Sequence, residues 1–248
     1  MYNISLLCPT RNRVDGLTRM WSSALDTASN PDKLELVLYV DHDDLETIEF
    51  LKSNLPEAST IFSDPNKPEI YSNLHNKCCA NSQADIVFGC ADDLIFRSQD
   101  WDNIILNKFE EIDDKIAFIF GNDGHWGSNF GTHGFFHKNW FNTLGYLAPP
   151  IFTVDYSDNY VNDLSNAIGR RFYIEDIFIE HMHWTFGKME MDTTAKDAHQ
   201  RRHSTNNAEI YSSFETMQNQ REDMQKLREI MNEKNKTVCL SKCQASCS

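Results

Sequence analysis

Two adjacent carboxylates, Asp92 and Asp93, directly follow the apolar run Ile86-Val87-Phe88-Gly89-Cys90-Ala91. Acids at the end of a buried strand can hold one divalent cation, which bridges the phosphates of a ligand and stabilises a departing diphosphate. An acidic turn or a helix cap uses the same residue type, so the pair alone does not decide. Two further polar clusters close apolar runs in the same way, Pro9-Thr10-Arg11-Asn12-Arg13 and Asp41-His42-Asp43-Asp44. Further on, His181 and His183 stand two apart in Ile179-Glu180-His181-Met182-His183-Trp184. On a strand that spacing puts both imidazoles on one face, where either could ligate a cation. Zinc is the rival metal, but no Cys or His partners accompany them at structural-zinc spacing.

These clusters need elements that bring them together. Residues 4–8 form a short apolar strand, and residues 14–28 carry Leu17, Met20, Trp21, Ala24 and Leu25 at helical spacing. Strands are expected at 34–40, 59–62, 86–91 and 116–120, with helices at 45–55, 70–80 and 101–112 between them. This alternation implies an α/β fold with a mainly parallel, doubly wound sheet and ligands at the carboxyl ends of its strands. Three of those ends carry the polar clusters. The second half is less regular. A Gly-, Asn-, His- and Trp-rich loop spans 121–134, followed by strand then helix over 135–144, a helix at 158–168 and a strand at 172–183. A polar helix with an apolar stripe runs over 209–234 as a C-terminal helical extension. The expected division is 1–205 for the catalytic unit and 206–248 for the extension and tail.

Composition narrows the function. The 248 residues hold 23 Lys+Arg against 37 Asp+Glu, a formal charge of −14. That sign repels a polyphosphate backbone and argues against nucleic-acid binding, while a cation can still screen the phosphates of a nucleotide. No apolar stretch approaches the ~20 residues that span a bilayer, and the N-terminus lacks a basic region before its apolar run, so it reads as a strand and not a signal peptide. Seven cysteines without a C-x-x-C pair suit a reducing compartment, and a cytoplasmic location is expected. Cys239, Cys243 and Cys247 recur at four-residue intervals in a tail expected to fray.

The segments ISLLCPTRNR (4–13), YVDHDD (39–44) and NKCCANSQADIVFGCADD (76–93), with the run to His183, resemble a family-2-type glycosyltransferase of the GT-A fold over about residues 1–200. The resemblance implies that Pro9, Thr10, Arg11 and Asp41 hold the nucleoside. The family's Asp-x-Asp signature is altered, with Ala91 where the first acid is expected. It implies Asp93 for the metal, Mn²⁺ or Mg²⁺, with Asp92 near the ribose or sharing the cation, and His181 or His183 completing the shell. Inverting transfer needs a carboxylate to take the acceptor proton. The family position of that base falls in Asp155-Tyr156-Ser157-Asp158, with Asp158 the first candidate and Asp155 the second. A plain helix N-cap is the alternative for Asp158. In the 121–134 loop, Asn122, Asp123, His125, Trp126 and His133 could form part of a sugar pocket, and Arg170-Arg171 and Arg201-Arg202 could steady phosphates. The implied donor is a nucleotide sugar, and the acceptor could be a glycan, a lipid or a small molecule. Two other readings are a nucleotidyltransferase, whose Gly-rich phosphate loop is missing after residue 8, and a catalytically silent nucleotide- or sugar-binding protein.

Overall fold

A computed structural model describes residues 1–67 and 69–245, with side chains through Glu233. In chain order the elements are β1 (Ile4–Thr10), α1 (Val14–Thr27), β2 (Leu34–Val40), α2 (Leu45–Asn54), β3 (Ser59–Phe62), α3 (Tyr71–Asn81), β4 (Ile86–Gly89), β5 (Leu94–Phe96) and α4 (Trp101–Glu110). There follow β6 (Phe118–Asn122), β7 (Phe135–His137), α5 (Lys138–Leu144), α6 (Ser157–Ala167), β8 (Arg171–His181), α7 (Thr193–Ser204), α8 (Asn207–Ser212) and α9 (Phe214–Ala245). The eight strands form one sheet in the order β3-β2-β1-β4-β7-β6-β8-β5.

Strands β1 to β4 pair in parallel because each connection is a crossover helix, and β6 pairs in parallel with β8. Strand β7 runs antiparallel between β4 and β6, since the loop that returns the chain from β6 contains no crossover helix. Strand β5 lies antiparallel to β8. It is only three residues long, too short for hydrophobic periodicity to reveal. Strand β4 also ends sooner than expected, at Gly89, so Cys90 and Ala91 already belong to the segment that delivers the acid pair.

The strands read as continuous apolar runs because both faces are covered. On one face Ile4, Leu6, Cys8, Leu36, Leu38 and Phe88 pack with Leu17, Met20 and Trp21 of α1 and Trp101, Ile105 and Phe109 of α4. On the other, Leu7, Val37, Tyr39 and Val87 pack with Cys78 and Cys79 of α3, Trp140 of α5 and Tyr160, Val161 and Leu164 of α6. Alternation along each strand thus feeds two cores at once. Helix α9 joins the second core through Leu227, with Met224, Ile230 and Met231 packed against it. The side chains of Cys239 and Cys243 and all of Cys247 lie outside the described residues. Among those described, no helix is long and apolar enough to cross a membrane.

Candidate active site

The loop after β1 is built around its arginines. Asn12 takes a left-handed backbone, φ 53°, and its N–H donates to the Asp44 carboxylate at 2.7 Å, while Asp44 also caps α2 by accepting from the Thr47 N–H. Arg11 reaches across to the cluster after β2, donating to Asp41 at 2.8 Å and to both oxygens of Asp43. Its guanidinium draws the Asp43 carboxyl down to about 2. Arg13 points the other way, binding Asp192 through two nitrogens at 2.7 and 2.9 Å and Asp92 at 2.9 Å.

Asp92 and Asp93 are 4% and 5% exposed. Both Asp92 oxygens are taken, one by the Thr10 hydroxyl at 2.8 Å and the other by Arg13. Burial pushes the Asp92 carboxyl up to about 6, and the Asp93 charge adds to this against the pull of Arg13. Asp93 is different. Burial raises its carboxyl, but the neighbouring His181 more than offsets that and holds it well below the usual carboxylate range. Its Oδ2 lies 3.4 Å from His181 Nε2, whereas Asp93 Oδ1 and His181 Nδ1 are buried with no hydrogen-bond partner. Gly16 allows α1 to approach this turn, since a Cβ there would sit 2.7 Å from the Asp92 carbonyl oxygen.

His181 is the last residue of β8. Its N–H donates to the Asp123 carbonyl at 3.0 Å, and the next N–H, of Met182, donates to the Asp93 carbonyl at 2.8 Å. His183 is not on the strand, which corrects the same-face expectation. With β5 so short, pairing stops at Leu94↔His181, and His183 instead caps the 3₁₀ turn Trp184–Phe186. The two rings nevertheless lie 5.2 Å apart between centroids. Burial, helped by the nearby His181, lowers His183 to about 4. His133 comes in from the loop before β7, 4.8 Å from His181 ring to ring, and burial holds it neutral. Its Nδ1 lies 3.1 Å from the Thr132 hydroxyl. Gly134 lets this loop lie flat on the core, since a Cβ there would come within 2.2 Å of Phe118.

Asp155 and Asp158 flank Tyr156, whose φ of 77° is unusual for a bulky residue. Tyr156, not Asp158, occupies the N-cap position of α6; Asp158 sits in the first turn and accepts from the adjacent Asn159 N–H at 2.9 Å. Burial raises the Asp158 carboxyl to about 6, and the Asp155 charge adds to the rise. Asp155 is taken by Arg202 of α7 at 2.6 Å.

Pro9, Thr10, Arg11, Asp41, Asp92, Asp93, Asp155, Asp158, His181 and His183 all line one cavity of about 510 Å³. Arg13 of the strand-end cluster, His133 of the long loop and the doublet Arg201-Arg202 also line it, together with Tyr71 and His75, which no motif in the sequence marks. Arg202 left a signal, its basic doublet, but nothing in the sequence paired it with Asp155. Arg170 pairs with Asp114 and is not among the lining residues. Neither are Asn122, Asp123, His125 and Trp126 of the long loop.

As a test of fit for Mn²⁺ or Mg²⁺, the two unpartnered atoms matter most. Asp93 Oδ1 and His181 Nδ1, on two side chains that meet through their other polar atoms at 3.4 Å, lack the bonds that buried polar atoms normally make. A carboxylate oxygen suits Mn²⁺ and Mg²⁺ alike, whereas Mg²⁺, which keeps an all-oxygen shell rich in water, accepts an added imidazole less readily than Mn²⁺ does. Among the described residues no three ligating side chains are arranged to hold an ion, so any cation would draw further ligands from its substrate and water.

No protein-family model matches the chain, and no curated protein matches it by sequence. Solved structures do. The chain is similar to the mannosyltransferase PcManGT from Pyrobaculum calidifontis, solved in complex with GDP-Man and Mn²⁺, at 14% identity and a TM-score of 0.54 over 73% of this chain and 57% of that one. It is similar to S. aureus TarS 1-349 in complex with UDP-GlcNAc at 11% identity and a TM-score of 0.53, over 71% of this chain and 58% of that one. Against the longer TarS structure the values are 12% and 0.50, with 36% of that chain covered. The chain therefore spans between about a third and three fifths of these proteins. At such identities the likeness shows the fold alone: the chain shares the α/β architecture of these solved structures.

Proposed function

We propose that the chain transfers a glycosyl group from a nucleoside-diphosphate sugar to an acceptor hydroxyl, with inversion. One observation carries this reading. A nucleoside-type loop, a buried acid pair and a separate carboxyl raised to about 6 share a single cavity. The neighbours solved with GDP-Man and UDP-GlcNAc support the donor class.

The roles follow from which groups are already engaged. Arg11 and Asp41 form the nucleoside wall at the end of β2. Asp92 is saturated by Thr10 and Arg13, so it fixes the loop and faces the ribose. Asp93 keeps a free oxygen and, with His181, would hold the cation, Mn²⁺ in preference to Mg²⁺; the cation supplies charge neutralisation of the departing diphosphate. His183 has its Nδ1 committed to the cap and stands outside the ligand pair. Of the two candidate bases, Asp155 is occupied by Arg202, whereas Asp158 bonds only to the N–H of its own turn. Asp158 thus takes the acceptor proton as the hydroxyl oxygen bonds to the anomeric carbon. The bond from that carbon to the diphosphate breaks, and the nucleoside diphosphate leaves with the electron pair. A base near 6 is ionised at neutral pH yet retains driving force for the proton.

Calorimetry with UDP and with GDP tests the cation's place in this site. With Mn²⁺ present, one of the two is expected to bind at least about tenfold more tightly than in EDTA. Equal affinity in both conditions, for a nucleotide that binds, would remove the cation from the account.

A further inference from the structure

Beyond the cavity, a row of aromatic rings runs from the acid site to the surface. Phe186 and His181 meet in a T-shaped pair at 5.7 Å, and Phe186 lies 5.8 Å from His183. His125 stacks on Phe186 at 3.7 Å with the planes 17° apart. Trp126 meets His125 edge to face at 4.9 Å and is 44% exposed. Trp184, a cavity-lining residue, lies 5.6 Å from His183.

The segment that displays Trp126 is firmly held. Asp123 is 7% exposed, and its Oδ1 accepts the N–H groups of His125 at 2.9 Å and Trp126 at 2.7 Å. Its Oδ2 accepts from the Thr132 hydroxyl at 3.2 Å, and its carbonyl accepts from the His181 N–H at 3.0 Å. Asp123 therefore ties the backbone carrying Trp126, through its carboxylate, to the strand end of His181, through its carbonyl, while the indole packs against the rings of His125 and Phe130 at 4.9 and 6.0 Å. A large aromatic side chain held rigidly in solvent loses little further entropy when it binds, which is how recognition surfaces are preorganised.

We infer that this row is a saccharide-binding platform on the acceptor side of the cavity, and that Trp126 stacks on a sugar ring of a neutral glycan acceptor outside the one receiving the transfer. The inference rests on the transferase reading. A pyranose offers an apolar C–H face to a ring and hydroxyls to its rim, and a row alternating indole, imidazole and phenyl offers apolar faces with interleaved nitrogens. A lipid tail would leave those imidazole nitrogens without partners. The formal charge of −14 works against acidic glycans.

The test uses the full chain and an array of defined neutral and acidic oligosaccharides, with phosphatidylcholine vesicles assayed in parallel. Wild type is expected to retain at least one neutral oligosaccharide, Trp126→Ala to lose about tenfold or more of that affinity, and Trp126→Phe to keep most of it. Nucleotide affinity and melting temperature should match wild type in both variants. Retention of no neutral saccharide, equal retention by Trp126→Ala, or Trp126-dependent binding to vesicles instead would each overturn the platform. Nucleotide binding by the same samples separates the two claims. If it persists without saccharide retention only the platform falls, whereas its absence in wild type brings down the transferase reading too.

Discussion

Asp158→Asn is expected to lower kcat by about 10²–10⁴-fold, the usual contribution of a positioned general base, with nucleotide affinity unchanged. The split follows from where the group acts: a base touches the acceptor proton in the transition state and not the donor. Asparagine keeps an oxygen for the Asn159 N–H, so α6 should start as before and thermal stability should stay close to wild type. The pH profile supplies a second signature. Burial raises this carboxyl from the ordinary range to about 6, and only the ionised form accepts a proton. Turnover should therefore rise with pH through about 6 and level off above it, and the variant should lose that limb. Asp155→Asn is the control. It frees Arg202 at the cavity wall and should lower turnover far less than Asp158→Asn does. Near-normal turnover by Asp158→Asn, with Asp155→Asn inactive but folded, would transfer the role to Asp155.

Asp93→Asn is expected to abolish the Mn²⁺-dependent part of nucleotide affinity and to lower turnover by about 10²-fold or more, since charge neutralisation by a bound ion is worth several kcal/mol. The variant should fold, because the Asp93 side chain has no hydrogen-bond partner on one oxygen and meets His181 only at 3.4 Å. Asp92→Asn should behave differently. Its carboxylate anchors Thr10 and Arg13, so its loss should loosen the loop after β1 and weaken nucleotide binding with or without the ion. Calorimetry of both variants with Mn²⁺ and with EDTA checks the division. Cation dependence that survives in Asp93→Asn and vanishes in Asp92→Asn would exchange their roles.

Much of the parallel half was legible in the sequence, because strands covered on both faces must be apolar throughout and their ends must turn polar where ligands approach. The run 86–91 followed at once by two acids is such a case. The long-range pairings were not legible. Nothing near Arg202 indicates that it reaches Asp155, 47 positions away, and Arg13 gives no hint of Asp192. Strand β5 escaped because three apolar residues after an acid pair carry no period. The misplacement of His183 followed from that gap, for the length of β5 decides where β8 stops and hence which histidine remains on the strand.

The central claim is tested most directly by incubating the full chain with Mn²⁺ and a panel of UDP- and GDP-sugars and measuring release of the nucleoside diphosphate. Release is expected from at least one donor, suppressed by EDTA and by Asp158→Asn and increased by the matching acceptor. A chain that binds UDP or GDP but releases no diphosphate from any of the sugars, with or without oligosaccharide acceptors, would contradict the account and leave a nucleotide-binding protein without transferase chemistry.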